Sequence, residues 1–207
     1  LKFARWSCRE LASRLGIEPT LVLPCSTGVI GVDLEKIPFS RAISLAVDGL
    51  SRNGFGAAAR AIMTSDASPK WSHRTVPHGD SEVVVAGMAK GAGMLAPQLA
   101  TMLVVLTTDA VVPAADLDTA LRAATRVSFD RLDSDGCMST NDTVTVLASG
   151  ASGVAPALPD FTAALTQACT DLAMQLLHDA EGADHDIAIT VLNAATEEDA
   201  TEVGRSV

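Results

Sequence analysis

Apolar residues recur at helical spacing along much of the chain. From Phe3 to Leu15 they fall near one face of a helix, and Gly16 follows where a left-handed cap would end it. Similar spacing predicts further helices over residues 40–50, 55–63, 116–127 and 159–180, and one that begins near residue 196. The longest of them should bury a stripe made of Phe161, Leu165, Cys169, Leu172 and Leu176.

Short apolar and β-branched runs indicate the strands. They predict strands over residues 21–23, 83–85, 143–147 and 187–192. The stretch 64–80 is polar and contains proline, so a surface loop or a hairpin is expected there. Helices and strands alternate without the regular rhythm of a doubly wound sheet. The pattern therefore favours an α/β or α+β layered sandwich.

Charge and composition narrow the classes of partner. The chain of 207 residues has a formal net charge of -10, and its basic residues are scattered, which argues against binding to nucleic acid or to an anionic membrane. Its apolar stretches are too short to span a bilayer and no signal-peptide pattern opens the chain, so a soluble cytoplasmic protein is expected. Small molecules and other protein chains remain as partners.

Motifs for metals and bound nucleotides are incomplete. The four cysteines and four histidines lack the spacing of a zinc site, and reduced thiols are expected. A dinucleotide fingerprint would need a glycine where Ala96 stands, and no P-loop occurs. The turn at Asp133 lacks the glycine and the glutamate of a calcium loop. We therefore expect neither a metal nor a bound cofactor.

One long segment carries a specific resemblance. Lys90-Gly-Ala-Gly-Met-Leu-Ala-Pro-Gln-Leu-Ala-Thr101-Met-Leu resembles the self-cleavage segment of the ornithine acetyltransferase, or bifunctional glutamate N-acetyltransferase, family. Without these neighbours, Thr101 would be taken for an ordinary strand residue. Four further segments resemble the same family in the same order, namely residues 26–31, 61–66, 139–143 and 179–183.

The resemblance implies a fold and a division of the chain. It implies a layered sandwich of the type found in this family and in self-cleaving aminopeptidases, with mixed sheets covered by helices. The precursor would be cut between Ala100 and Thr101, so that residues 1–100 belong to an α chain and residues 101–207 to a β chain of one catalytic domain. The family's N- and C-terminal regions are missing from this sequence. The two chains would stay associated, as an α2β2 heterotetramer.

The resemblance also implies an acetyl transfer from N-acetylornithine to glutamate in arginine biosynthesis. Thr101 would be the nucleophile, and Thr27 and Gly28 would form the oxyanion hole. Thr64, Lys90, Thr101 and Glu181 would contact the amino-acid substrate. A new N-terminal amine suits this chemistry, because its pKa of about 7.7 to 8.0 lets it accept the hydroxyl proton near neutral pH. No bound cofactor is implied, and the sequence leaves open whether acetyl-CoA serves as a second acetyl donor.

Two other functions remain open on the sequence alone. A self-cleaving aminopeptidase or amidohydrolase would pass the acyl group to water, although such enzymes generally have serine at the cut. A non-catalytic fragment of the same fold would neither cleave nor transfer. The sequence also departs from the family pattern at Ser65, where a second threonine is common, and at Asp184-His185, where Thr-Lys usually follows Glu-Gly-Ala.

Overall fold

The structure is a computed structural model that describes residues 2–28, 31–93, 102–134, 136, 139 and 141–207. It divides into two compact units, Leu1–Ala58 and Ala59–Val207, which are described one at a time. Among the described residues, no helix is both long and apolar enough to cross a membrane.

The first unit is helical. Its helices are α1 (Lys2–Leu15), α2 (Lys36–Asp48) and the start of α3 (Phe55–Ala61). The Phe3 ring meets the Phe39 ring edge-on at 4.8 Å between centroids, and Glu10 accepts a hydrogen bond from Ser40, so α1 and α2 pack together. Gly16 has a φ of +68°, which confirms the predicted left-handed end of α1.

The strand predicted over residues 21–23 is wrong. A short 3-10 turn occupies Pro19–Leu21, and the side chains of Leu21 and Leu23 are 68% and 62% exposed. A strand needs a neighbouring strand to complete its backbone hydrogen bonds, and the described part of this unit contains none.

The second unit is built on a four-stranded sheet. Its strands are β1 (Lys70–His78), β2 (Ser81–Lys90), β3 (Leu103–Thr108) and β4 (Thr143–Ala148). They lie in the order β1-β2-β3-β4, with antiparallel pairs β1/β2 and β2/β3 and a parallel pair β3/β4. The β1/β2 hairpin confirms the hairpin alternative for residues 64–80, and β2 extends the strand predicted over 83–85.

Three further helices follow in this unit, namely α4 (Ala114–Arg126), α5 (Leu158–His178) and α6 (Glu197–Ser206). Helix α5 packs against β1, β2 and α4, and all five residues of its predicted apolar stripe are buried. A methyl group on Gly87 of β2 would lie 2.6 Å from Leu106 Cδ2 and 3.0 Å from Leu172 Cδ1. The absence of a side chain at Gly87 therefore lets α5 approach the sheet closely.

The strand predicted over residues 187–192 is also wrong. These residues are all described and form no strand, and the side chains of Ile187 and Leu192 are 83% and 76% exposed. The segment instead passes α6, where a methyl group on Gly204 would lie 3.6 Å from Val191 Cγ2. Without a pairing partner, the β-branched run does not become a strand. The described residues as a whole form a mixed α/β structure, as the coarser fold prediction stated.

Candidate functional site

The end of β2 brings together two residues that are far apart in sequence. Lys90 is only 3% exposed, and its Nζ donates a hydrogen bond to Thr64 Oγ1 over 2.8 Å. The same nitrogen lies 3.7 Å from Asp66 Oδ2. Because the Thr64 hydroxyl accepts from Lys90, its own proton is free to be donated outward. Thr64 therefore links a buried cation to the exposed surface.

Asp66 fixes the geometry of this pair. Its carboxylate accepts hydrogen bonds from the backbone amides of Thr64, over 3.0 Å, and Gly91, over 2.7 Å, and from Lys70 Nζ, over 2.8 Å. Burial on its own would raise the pKa of Asp66. The hydrogen bonds from Gly91, Lys70 and Thr64, with the charge of Lys70, outweigh burial and lower the pKa to about 2.

Lys70 connects Asp66 to the end of α5. Its side chain is 1% exposed, and its ammonium pairs with both Asp66 and Asp179. Asp179 also accepts the backbone amide of Ala67, with N–O distances of 3.0 and 3.2 Å. Among the described side chains that are buried, none has an unpaired polar atom. In this group, the two carboxylates of Asp66 and Asp179 face the two ammonium groups of Lys70 and Lys90.

Glu181 lies beside the turn that follows β2. Its backbone amide donates to the carbonyl of Ala92 over 2.5 Å. Its carboxylate faces Gly93, where an added methyl group would lie 3.1 Å from Glu181 Oε2. Gly91 has a φ of +152°, a conformation that residues with a side chain rarely adopt. The path of the chain through residues 91–93 thus places Glu181 next to Gly93, the last described residue before Met94.

A second carboxylate lies at the start of β3. Asp142 accepts the backbone amide of Met102 over 2.8 Å, and the Thr143 amide donates to the Met102 carbonyl over 3.0 Å. Burial raises the pKa of Asp142 to about 6, against the lowering effect of the bonds from Met102 and the hydroxyl of Ser139. Asp66 and Asp142 thus hold backbone amides on the two sides of residues 94–101.

The predicted site residues fall into three groups. Thr64, Lys90 and Glu181 come together around the end of β2. Thr101 and Ala100, the predicted nucleophile and the other side of the predicted cut, lie outside the described residues. Thr27 and Gly28 lie in the first unit, in an irregular segment, with Thr27 half-buried and Gly28 exposed.

Sequence reasoning did not select four charged residues of this site, namely Asp66, Lys70, Asp142 and Asp179. Three of them lie in segments that carried the family resemblance, so that resemblance was the available signal. Lys70 had none, because it stands in a polar stretch that was expected at the surface. Among the described residues, no cluster of three or more histidine, cysteine, aspartate or glutamate side chains is arranged to hold a metal ion.

Known proteins resemble this chain over nearly all of its length. The model of the ArgJ family matches residues 1–207. An arginine biosynthesis bifunctional protein ArgJ from Streptomyces avermitilis is 53% identical over 201 residues, which are 97% of this chain and 51% of the relative. The protein of the same name from Thermobifida fusca is 49% identical over 99% of this chain and 52% of its own length. The protein of the same name from Bifidobacterium longum is 46% identical over 97% of this chain and 51% of its own length. The chain thus spans about half the length of these relatives.

Proposed function

Because the chain belongs to the ArgJ family, we propose that its protein transfers an acetyl group from N-acetylornithine to glutamate in arginine biosynthesis. The relatives are named as bifunctional proteins of that biosynthesis. The described residues would then supply the amino-acid site and both flanks of the acetyl-carrying segment.

The contact between Lys90 and Thr64 is the observation that carries the proposal. The two residues are 26 positions apart, and the sequence resemblance predicts that both contact the same substrate. The ammonium of Lys90 complements a carboxylate, and the carboxylate of Glu181 complements an amine. An α-amino acid carries both groups. Thr64 would present its hydroxyl proton to the substrate carboxylate while it accepts from Lys90.

In the proposed reaction, Thr101 is the nucleophile. Its hydroxyl oxygen would attack the acetyl carbonyl of N-acetylornithine, and its own α-amine would take the hydroxyl proton. The carbon–nitrogen bond then breaks, and ornithine leaves as an amine that carries that proton. The amine of glutamate next attacks the acetyl ester, and the bond between the Thr101 oxygen and the acetyl carbon breaks. That oxygen regains a proton from the attacking amine as N-acetylglutamate leaves. Donors from Thr27 and Gly28 would stabilise the negative oxygen in both halves.

The free α-amine requires a cut before Thr101. The Thr101 hydroxyl would attack the carbonyl of Ala100, the peptide bond would break to leave an ester, and water would hydrolyse that ester to a carboxylate at Ala100. The resulting α and β chains would remain together, in an α2β2 assembly in the cytoplasm, with the layered sandwich fold of the family. No cofactor would be bound, and acetyl-CoA is a second donor to be tested.

The first test uses the protein expressed from its complete gene beside its Thr101→Ala variant. Intact mass spectrometry should give two fragments for the wild type, with the second beginning at Thr101, and one uncut chain for the variant. Brief exposure to N-acetylornithine should add one acetyl group to the wild-type β fragment only.

The outcomes separate the alternatives. Acetyl transfer to glutamate with ping-pong kinetics supports the proposal, whereas release of acetate without transfer would favour the hydrolase. An uncut wild-type chain that carries no acetyl group would contradict the assignment of Thr101 and favour the non-catalytic fold.

A further inference from the structure

A buried ion cluster joins the three described residues of the proposed substrate site. Thr64, Lys90 and Glu181 come from three separate parts of the chain, and a direct hydrogen bond joins only Lys90 to Thr64. Three charged residues connect these parts and form the ion cluster, namely Asp66, Lys70 and Asp179. None of its members was expected to contact substrate.

Each member of the ion cluster holds a different part of the site. Asp66 receives the amides of Thr64 and Gly91, which lie at and next to two proposed substrate contacts. Asp179 lies at the end of α5, two residues before Glu181. Lys70 pairs with both carboxylates and is 1% exposed. One buried ammonium therefore joins the Thr64–Lys90 pair to the segment that carries Glu181.

We infer that Lys70, with Asp66 and Asp179, positions Glu181 relative to Thr64 and Lys90 for binding of an α-amino acid. The inference rests on the proposed function and adds residues that set the spacing between its cation and its anion. Two oppositely charged side chains recognise a zwitterion only at the correct separation, so a small displacement of one weakens the other's contribution.

Geometry and net charge make opposite predictions for Asp179→Asn. Asparagine keeps an oxygen that accepts the amide of Ala67, but it no longer attracts Lys70. Removal of a negative charge from the ion cluster would by itself strengthen the attraction of a substrate carboxylate. If Glu181 were no longer held at a fixed distance from Lys90, binding of the amino-acid substrate would instead become weaker. The direction of the change in KM therefore distinguishes a positioning role from a purely electrostatic one.

Asp171→Asn is the matched control. Asp171 also lies on α5 and also binds β1, where it accepts from Ser72 Oγ over 2.8 Å and pairs with Arg74. It forms no hydrogen bond or ion pair with the described residues Thr64, Lys90 and Glu181. A general weakening of the packing between α5 and β1 should affect both variants, and thermal unfolding measures that weakening. Only Asp179→Asn should change substrate binding.

The experiment measures acetyl transfer from N-acetylornithine and the calorimetric affinity for L-ornithine, with the protein from its complete gene. We expect Asp179→Asn to raise KM and the ornithine Kd about tenfold while kcat changes less than about threefold, and Asp171→Asn to change none of these. An unchanged or lower KM in folded Asp179→Asn would overturn the inference, as would an equal rise in Asp171→Asn.

A second variant and the behaviour of the wild type complete the test. If Asp179→Asn does not fold, Asp179→Glu replaces it, because glutamate keeps the charge but displaces it by one methylene. An unchanged KM in folded Asp179→Glu would then overturn the inference, and a raised KM would support it. If the wild type neither transfers acetyl groups nor binds ornithine, the proposed function itself fails. That result differs from a wild type that works beside an Asp179 variant that works equally well.

Discussion

Two carboxylates hold the backbone on the two sides of residues 94–101, and they do so in different electrostatic settings. Asp66 holds Gly91 on the upstream side and is paired with Lys70. Asp142 holds Met102 on the downstream side with help from the Ser139 hydroxyl, and no described residue forms an ion pair with it.

The pKa values express this difference. Both side chains lose hydration on burial, which raises the pKa of a carboxyl. Lysine and two amides more than offset that effect at Asp66, whose pKa falls to about 2, whereas one amide and one hydroxyl do not offset it at Asp142, whose pKa rises to about 6. Equal backbone roles therefore do not imply equal contributions to stability. The upstream carboxylate is needed as an anion, and the downstream one is destabilising as an anion.

Removal of the charge of Asp66 should have the largest effect. In Asp66→Asn, the buried ammonium of Lys70 keeps Asp179 but loses its other anionic partner, and Lys90 loses its nearest anion. We expect the free energy of unfolding at pH 7 to fall by about 3 to 5 kcal/mol, as measured by urea unfolding. The control is Asp171→Asn, whose more exposed pair with Arg74 should contribute less than about 1 kcal/mol. A loss of similar size in the two variants would contradict the comparison.

The second largest effect is expected from acid, which should reduce the contribution of Asp66 to the free energy of unfolding. The pKa of Asp66 is lower in the folded protein than the unfolded value of 3.8. Its stabilising contribution is therefore fully present above pH 4 and is lost as the pH falls toward 2. The shift corresponds to about 2 kcal/mol. The difference in unfolding free energy between the wild type and Asp66→Asn should shrink by about this amount. A difference that stays constant down to pH 2 would show that Asp66 does not act through its charge.

The sequence predicts this site unevenly, and the reasons are physical. The apolar stripe of α5 was recognised because helical spacing is a local property. The predictions of strands at 21–23 and 187–192 were wrong because a strand also depends on a neighbouring strand, which local sequence does not reveal. Lys70 was missed for a related reason. A lysine in a polar stretch normally lies in solvent, and only the fold brings Asp66 and Asp179 to either side of it.

The family resemblance and the structure identify different residues of the candidate site. The family pattern selected Thr64, Lys90 and Glu181 from three segments, but it did not state what holds them together. The structure supplies the carboxylates of Asp66 and Asp179. A motif identifies residues that contact a ligand more readily than those that act through a neighbour, because the latter have ordinary structural contacts.

The smallest effect is expected at Asp142, and its sign is opposite. The pKa is raised in the folded protein, so the stabilising contribution of this group is present below pH 3.8 and is lost as the pH rises through about 6. Asp142→Asn keeps an oxygen to accept the amide of Met102 and removes the charge. We expect this variant to be more stable than the wild type at pH 7 by about 1 kcal/mol, a value reduced by partial solvent screening.

The pH profile separates this gain from a general improvement in packing. The advantage of Asp142→Asn over the wild type should appear between pH 4 and pH 6 and be absent at pH 4, where both side chains are neutral in the folded protein. Asp118→Asn is the control, because its carboxylate binds the exposed Arg122, whereas the Met102 amide donates to Asp142. If Asp142→Asn were instead destabilised at pH 7, the ionised carboxylate would be an anchor of the same kind as Asp66, and the contrast between the two sides of residues 94–101 would not hold.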